Sequence, residues 1–204
     1  MALAFYFILS APQKYGYYSR LRKELDLAFP DALGTLSLEK LNTLPFLNAV
    51  INEGLRLGSP FYLPRVVPPG GVEIAGKFIP PDTQVAIAAY SQQTSPENFW
   101  PEPLEFRPDR WLPGGLGPGS RTERTALFSF SSGPHVCIAK PFAYQEMRHV
   151  IARLVLAYDM ELPGYFDAKR YRDGILNMRT TILQHRLPVV VRRRPGLSWE
   201  KASG

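Results

Sequence analysis

Apolar side chains recur at helical spacing in three parts of the chain and alternate in a fourth. From Ala4 to Leu27 the spacing predicts helix, interrupted around Pro12, with Arg20, Arg22 and Lys23 on the polar face of its second part. Thr43-Leu44-Pro45 reads as a helix start. Leu47, Val50, Ile51 and Gly54 follow at helical spacing, so this helix runs to about Leu57 and stops before Pro60. Beyond it the period changes to two. Val72 and Ile74 alternate, as do Val85 and Ile87, with Gly76-Lys77 and Pro80-Pro81-Asp82 as turns, which predicts a small sheet.

Residues 96–119 hold six Pro and four Gly, too many for any regular element. Phe99, Trp100, Phe106 and Trp111 supply apolar anchors, so an ordered loop is expected. Pro141 suits a first helical turn, where its missing N–H costs nothing. Ala143, Met147, Val150, Leu154 and Tyr158, with Ile151 and Val155 beside them, predict a strongly amphipathic helix of about five turns, its stripe in the core. Asp159 to Leu162, Ile175 to Leu183 and Val189 to Arg192 read as strands of a second small sheet. The chain carries no internal repeat and no low-complexity tract.

Composition narrows the class. Of 204 residues, 45% are apolar and 21% charged, as in a soluble globular protein of one domain. A chain of this length can bury roughly 70% of its unfolded surface without staples. The single Cys excludes a disulfide framework and a Cys-rich zinc site. Cys137 is thus a buried hydrophobe, a nucleophile or a lone metal ligand. The net charge of +6 favours an acidic partner without indicating nucleic acid. Arg192, Arg193 and Arg194, the only compact positive run, read as a solvated tail. The apolar stretch Met1 to Leu9 is far short of the roughly 20 residues that span a bilayer and lacks a basic flank, so it reads as a buried helical piece.

Cys137 ends the run Phe130-Ser131-Ser132-Gly133-Pro134-His135-Val136, immediately before the long helix. A sulfur at a helix N-terminus meets the positive end of the macrodipole, which favours thiolate. Phe stands seven residues before the only Cys and Gly four before it. With 12 Phe and 16 Gly in the chain, that pairing is about a 1-in-200 coincidence. Here the sequence resembles the cytochrome P-450 family, whose haem-binding loop has the form Phe-x-x-Gly-x-x-x-Cys followed by a helix. Ala143 and Glu146 fall where the family's Cys-x-Gly-x-x-x-Ala-x-x-Glu pattern places them. Glu53-Gly54-Leu55-Arg56 supplies its Glu-x-x-Arg, and Phe106-Arg107-Pro108-Asp109-Arg110-Trp111 resembles its Phe-x-Pro-x-Arg-Phe. The three motifs stand in the family's order, and the likeness runs from about residue 12 to 194.

The resemblance implies the C-terminal half of that fold, mainly α with small β-sheets, and haem b (iron protoporphyrin IX) as cofactor. It makes Cys137 the axial ligand of the iron. Thiolate ligation pushes electron density onto iron and favours O–O cleavage, the chemistry of a monooxygenase. Glu53 and Arg56 would form an ion pair joined by Arg110, a structural rather than catalytic group. Arg65 and His135 would meet haem propionates, His135 with a weaker, pH-dependent contact than the family's usual Arg. Phe130 would shield the thiolate, Gly133 would let the turn close, and Ala139, in place of the usual Gly, would keep the helix close to haem. No residue here is assigned a catalytic role.

The partners implied are a small lipophilic substrate and an acidic NADPH-dependent reductase or other electron donor. As written the chain is expected to be soluble on the cytoplasmic side, whereas longer relatives are often anchored to the endoplasmic reticulum membrane. The family's oxygen-activating Ala-Gly-x-Asp-Thr segment does not occur in this sequence. The expectation is therefore a haem-ligating portion without monooxygenase turnover of its own. A haem-free remnant acting as scaffold is one alternative, and an enzyme using Cys137 as nucleophile with His135, His149 or His185 is another.

Overall fold

The computed structural model describes residues 1–12, 15–58, 64–176 and 184–197. Among these, seven α-helices and four two-stranded antiparallel ladders alternate along the chain. Helix α1 is Ala2–Ser10, α2 Tyr17–Ala28, α3 Leu38–Thr43 and α4 Pro45–Leu57. Ala4 to Ile8 of α1 are all buried, as expected of a helix that is apolar on every side. Gly16, at φ 56°, starts α2 in the left-handed conformation that glycine adopts freely. Pro45 opens α4, but Leu44 before it has no side chain that can cap. The carboxylate of Glu24, from α2, takes that role and accepts the N–H groups of Phe46 and Leu47, each at 2.8 Å.

The alternating segment folds as two ladders rather than one run. Strand β1 (Arg65–Val66) pairs with β4 (Gln84–Val85), and β2 (Val72–Ile74) pairs with β3 (Lys77–Ile79). Ala75 and Gly76, at φ 51° and 74°, form the two-residue turn between β2 and β3, a geometry whose twist suits a hairpin. Ile87 lies beyond β4, because the chain turns into α5 (Ala89–Thr94) and the Ala89 N–H bonds to the Ile87 carbonyl. The Pro-rich segment is ordered, and it contains short regular pieces that its composition argued against. These are β5 (Phe99–Trp100), which pairs with β6 (Arg121–Thr122), and a 3-10 turn over Pro108–Trp111.

Helix α6 (Lys140–Ala157) begins with Pro141 in its first turn, as expected. Its buried residues are Ile151, Ala152, Val155, Leu156 and Ala157, while Ala143, Met147, Val150 and Leu154 of the expected stripe are only half-buried. Toward its start the helix meets α4 through polar contacts, Tyr144 to Asn52 and Arg148 to Asn48, whereas Ile151 to Leu156 supply the residues that join the main core. Tyr158 opens strand β7 (Tyr158–Glu161), which pairs with β8 (Val190–Arg193). The strand expected at 175–183 is not observed over its first two residues. Ile175 and Leu176 end α7 (Ala168–Leu176), and residues 177–183 lie outside the described residues. That helix forms because Tyr171 and Ile175, one turn apart, bury themselves against α1, with the Tyr6 and Tyr171 rings 4.7 Å apart.

The arginine run belongs to strand β8 and the residue after it rather than to a tail, with Arg192 and Arg193 exposed to solvent and Arg194 half-buried. Arg192 pairs across the ladder with Glu161 at 2.7 Å, and Arg194 binds both oxygens of Asp26 and the carbonyl of Leu156. One core joins α1, α2, α4, α6 and α7. A smaller cluster of Ala49, Phe99, Trp111 and Ala126 sits where α4 meets the Pro-rich segment. Among the described residues no helix is long and apolar enough to cross a membrane.

Candidate functional site

The last turns of α4 bury two opposite charges. Glu53 and Arg56 are each fully buried, one helical turn apart. Arg56 Nε and Nη2 donate to the two carboxylate oxygens of Glu53, each at 2.8 Å. Arg110 Nε reaches the same carboxylate at 3.0 Å, Trp111 Nε1 at 2.9 Å and the Arg107 N–H at 2.9 Å. Two cations facing one anion leave an excess positive charge, and backbone carbonyls absorb it. Arg56 also donates to the carbonyls of Gln93, Pro103 and Glu105, and Arg110 to those of Pro101 and Glu102. The Pro-rich segment is therefore folded around these guanidinium groups. Burial, the largest single influence, would raise the Glu53 pKa. The bonds and charges of Arg56, the charge of Arg110 and the Arg107 N–H outweigh it and hold the carboxyl below its ordinary 4.5. Desolvation lowers the Arg110 pKa despite Glu53 beside it.

From this buried centre the chain runs to Cys137. The Cys137 N–H donates to the Phe130 carbonyl at 2.9 Å, closing a loop that contains a 3-10 turn over Gly133–His135. Ser131 and Gly133 both adopt left-handed φ, 61° and 64°. A Cβ at Gly133 would meet no atom within 4 Å, so conformation rather than space calls for glycine there. The Phe130 ring lies 5.5 Å from that of Tyr144 on α6, and the Tyr144 hydroxyl donates to Asn52 on α4. The loop thus rests on both helices.

An open cavity of about 820 Å³ adjoins the loop. Cys137, His135 and Phe130 line it from one side, and Arg65 of β1 and Lys77 of β3 from another. Most of the rest is apolar: Ile74, Ile79, Val85, Ile87 and Phe128. Among the described residues no carboxylate lines it. Gly133 and Ala139 do not line it, and Ala139 is instead the exposed residue that caps α6. Glu53, Arg56 and Arg110 stand apart from the cavity as the buried centre described above. Among the described residues no three His, Cys, Asp or Glu side chains come together as a metal site. Among the described residues Cys137 and His135 are the only His or Cys side chains lining the cavity, too few to hold a bare ion by themselves. A flat, mostly apolar chelate carrying its own carboxylates fits this lining, with Arg65, Lys77 and His135 as the groups that would meet those carboxylates.

Three participants escaped sequence reasoning. In the sequence Lys77 marks only a turn, and Trp111 an apolar anchor at the end of the Phe106–Trp111 motif, with nothing to show that its indole N–H binds Glu53. Gln93 is a buried amide in a short helix with no periodic signal to mark it.

A family model described as cytochrome P-450 matches residues 1–182. The cytochrome P-450 monooxygenase dpfgJ of Gibberella zeae is 36% identical over 167 residues, which cover 79% of this chain and 34% of that protein. The cytochrome P-450 monooxygenase sthD of Phaeosphaeria nodorum is 37% identical over 174 residues, covering 84% and 34%. Tryprostatin B 6-hydroxylase of Aspergillus fumigatus is 34% identical over 177 residues, covering 86% and 31%. The chain spans about a third of the length of these curated relatives.

Proposed function

This chain belongs to the cytochrome P-450 family, and on that premise we propose that it holds haem b through Cys137 and forms the haem-holding portion of a monooxygenase. The observation that carries the proposal is the cavity itself: the only thiol of the chain opens into apolar walls whose other ionisable groups are all basic. Bound there, haem would supply oxygen activation at iron, with electron density from the thiolate favouring O–O cleavage.

The remaining tasks belong to the protein. Cys137 lies three residues before Lys140, and the positive end of α6 favours negative charge placed near it. Arg65 is permanently charged and binds a carboxylate at any physiological pH, whereas His135 does so only when protonated. Among the described residues neither Arg65 nor Lys77 has an anionic partner, which leaves both free to take one. Phe130, which lines the cavity with Cys137, would shield one side of the thiolate. Glu53, Arg56 and Arg110 hold the Pro-rich segment in place and do not touch the reacting atoms.

No residue of this chain is assigned to proton delivery or to enclosing a small lipophilic substrate, the family's Ala-Gly-x-Asp-Thr pattern not occurring in it. Electrons would come from an NADPH-dependent reductase or similar donor with an acidic face, matched to the net charge of +6.

The test is spectroscopic. Reconstituted with haem, reduced and exposed to CO, the protein should show the strongly red-shifted Soret band of a thiolate adduct, and Cys137→Ser should abolish it. A folded, haem-loaded sample without that band would overturn the assignment.

A further inference from the structure

Gln93 is fully buried, although the other residues of the six-residue α5 are exposed or half-buried. The two ends of its amide bind two different elements. Nε2 donates to the Arg56 carbonyl on α4 at 2.7 Å, and Oε1 accepts the backbone N–H of Phe128 at 2.7 Å. The orientation is unambiguous, because a flipped amide would set two acceptors and two donors face to face. The Gln93 carbonyl, in turn, accepts from Arg56 Nη1 at 2.7 Å. Next to this contact the Ser129 hydroxyl donates to the Leu55 carbonyl at 2.9 Å.

Downstream of Ser129 no other side chain of the described residues bonds a backbone group of the segment as Gln93 does, although the Phe130 ring rests on Tyr144. Residues 130–137 are exposed or half-buried; besides the bonds of Val136 to Gly133 and Cys137 to Phe130, the Ser131 N–H donates to the Phe128 carbonyl, and the Cys137 carbonyl accepts the N–H of Lys140 at the start of α6. The place of Cys137 is therefore set from two sides, at Phe128 and Ser129 before it and at the start of α6 after it. We infer that Gln93 is a positioning residue for the cysteine loop, its buried amide clamping Phe128 to the end of α4 so that the Glu53–Arg56 centre sets the loop's start while α6 holds its end, and the two together place Cys137. The consequence for haem rests on the function proposed above; the clamp itself does not.

Hydrogen exchange on the haem-free wild-type chain tests the clamp directly. The Phe128 amide should be as protected as the amides of α4, while that of His135 exchanges rapidly. A Phe128 amide exchanging as fast as His135 overturns the inference. Gln93→Leu, which keeps the bulk and removes both bonds, should speed exchange at Phe128 and weaken haem binding about tenfold or more. It should also move much of the ferrous CO adduct from the thiolate band to shorter wavelength. Gln93→His retains one donor and one acceptor and should restore both properties in part. A Gln93→Leu protein with wild-type exchange at Phe128 and a wild-type CO spectrum refutes the positioning role. Should Gln93→Leu not fold, the wild-type exchange pattern and Gln93→His decide. If the wild type itself lacks the thiolate band, the proposed function fails, and exchange at Phe128 alone upholds or overturns the clamp.

Discussion

A carboxylate shut away from water at residue 53 accepts five hydrogen bonds, three of them from guanidinium nitrogens. Such a charge is tolerable only because each of its lone pairs is matched, so the arrangement is sensitive to the loss of any one cation. Arg56→Ala would leave Glu53 short of its bidentate partner and free three backbone carbonyls of the Gln93 to Glu105 region. The expected cost is about 3–5 kcal/mol. Urea unfolding of the purified variant, or its recovery as aggregated and haem-free protein, measures it. Arg56→Lys should not rescue, because an ammonium cannot replace a planar fork that bonds in several directions at once. The Glu-x-x-Arg spacing was legible in the sequence, but Trp111 Nε1 and the Arg107 N–H as further donors were not. They come from a segment more than 50 residues away, and no local period links such positions.

Among the elements, α4 was legible from Pro45 and the apolar spacing after it, yet its stability depends on a residue outside it. With Leu44 at its cap position, the first N–H groups of α4 would be unpaired without Glu24. Glu24→Ala should therefore destabilise the protein by about 1–2 kcal/mol, the value of a lost helix cap. In a chain of this size that corresponds to a fall in Tm of about 2–4 °C per kcal/mol, read by thermal denaturation. An unchanged Tm would mean that water caps the helix equally well. Helices α3 and α5, of six residues each, are too short to show a period, and in α7 the apolar positions Tyr171 and Ile175 are too few to mark a helix before α1 is packed against them. The shifted burial of α6 has the same origin, because helical period tells which positions share a face but not which part of that face joins the main core.

At the scale of the molecule, the buried centre couples folding to pH. The Glu53 carboxyl is held below its ordinary pKa of 4.5 in the folded state, so its contribution is fully present above about that pH and is lost as pH falls through the lower native value. Glu53→Gln should thus be markedly less stable than wild type at neutral pH, with the gap narrowing as the pH drops below 4.5. Urea midpoints of the two proteins between pH 7 and pH 3 would show it, and a gap independent of pH would mean that the charge of Glu53 does not stabilise the fold. The same centre ties α4 to α5, to the Pro-rich segment and, through Gln93, to the start of the cysteine loop. Damage there should reach the cavity although no residue of the centre lines it.

The sequence by itself determined the family, the order of the main helices and the identity of the only thiol, because each of these is carried by residues close together in the chain. Spacing of three or four residues marks a helical face, Pro marks a first turn, and a Phe, a Gly and a Cys within eight residues mark a loop. Tertiary structure alone decided which residues complete those local pieces. Glu24 caps a helix 22 residues away, Gln93 bridges Arg56 to Phe128, and Arg194 closes on Asp26 at the far end of the chain. In each case a buried donor or acceptor required a partner, and only the packed chain sets which side chain stands within reach.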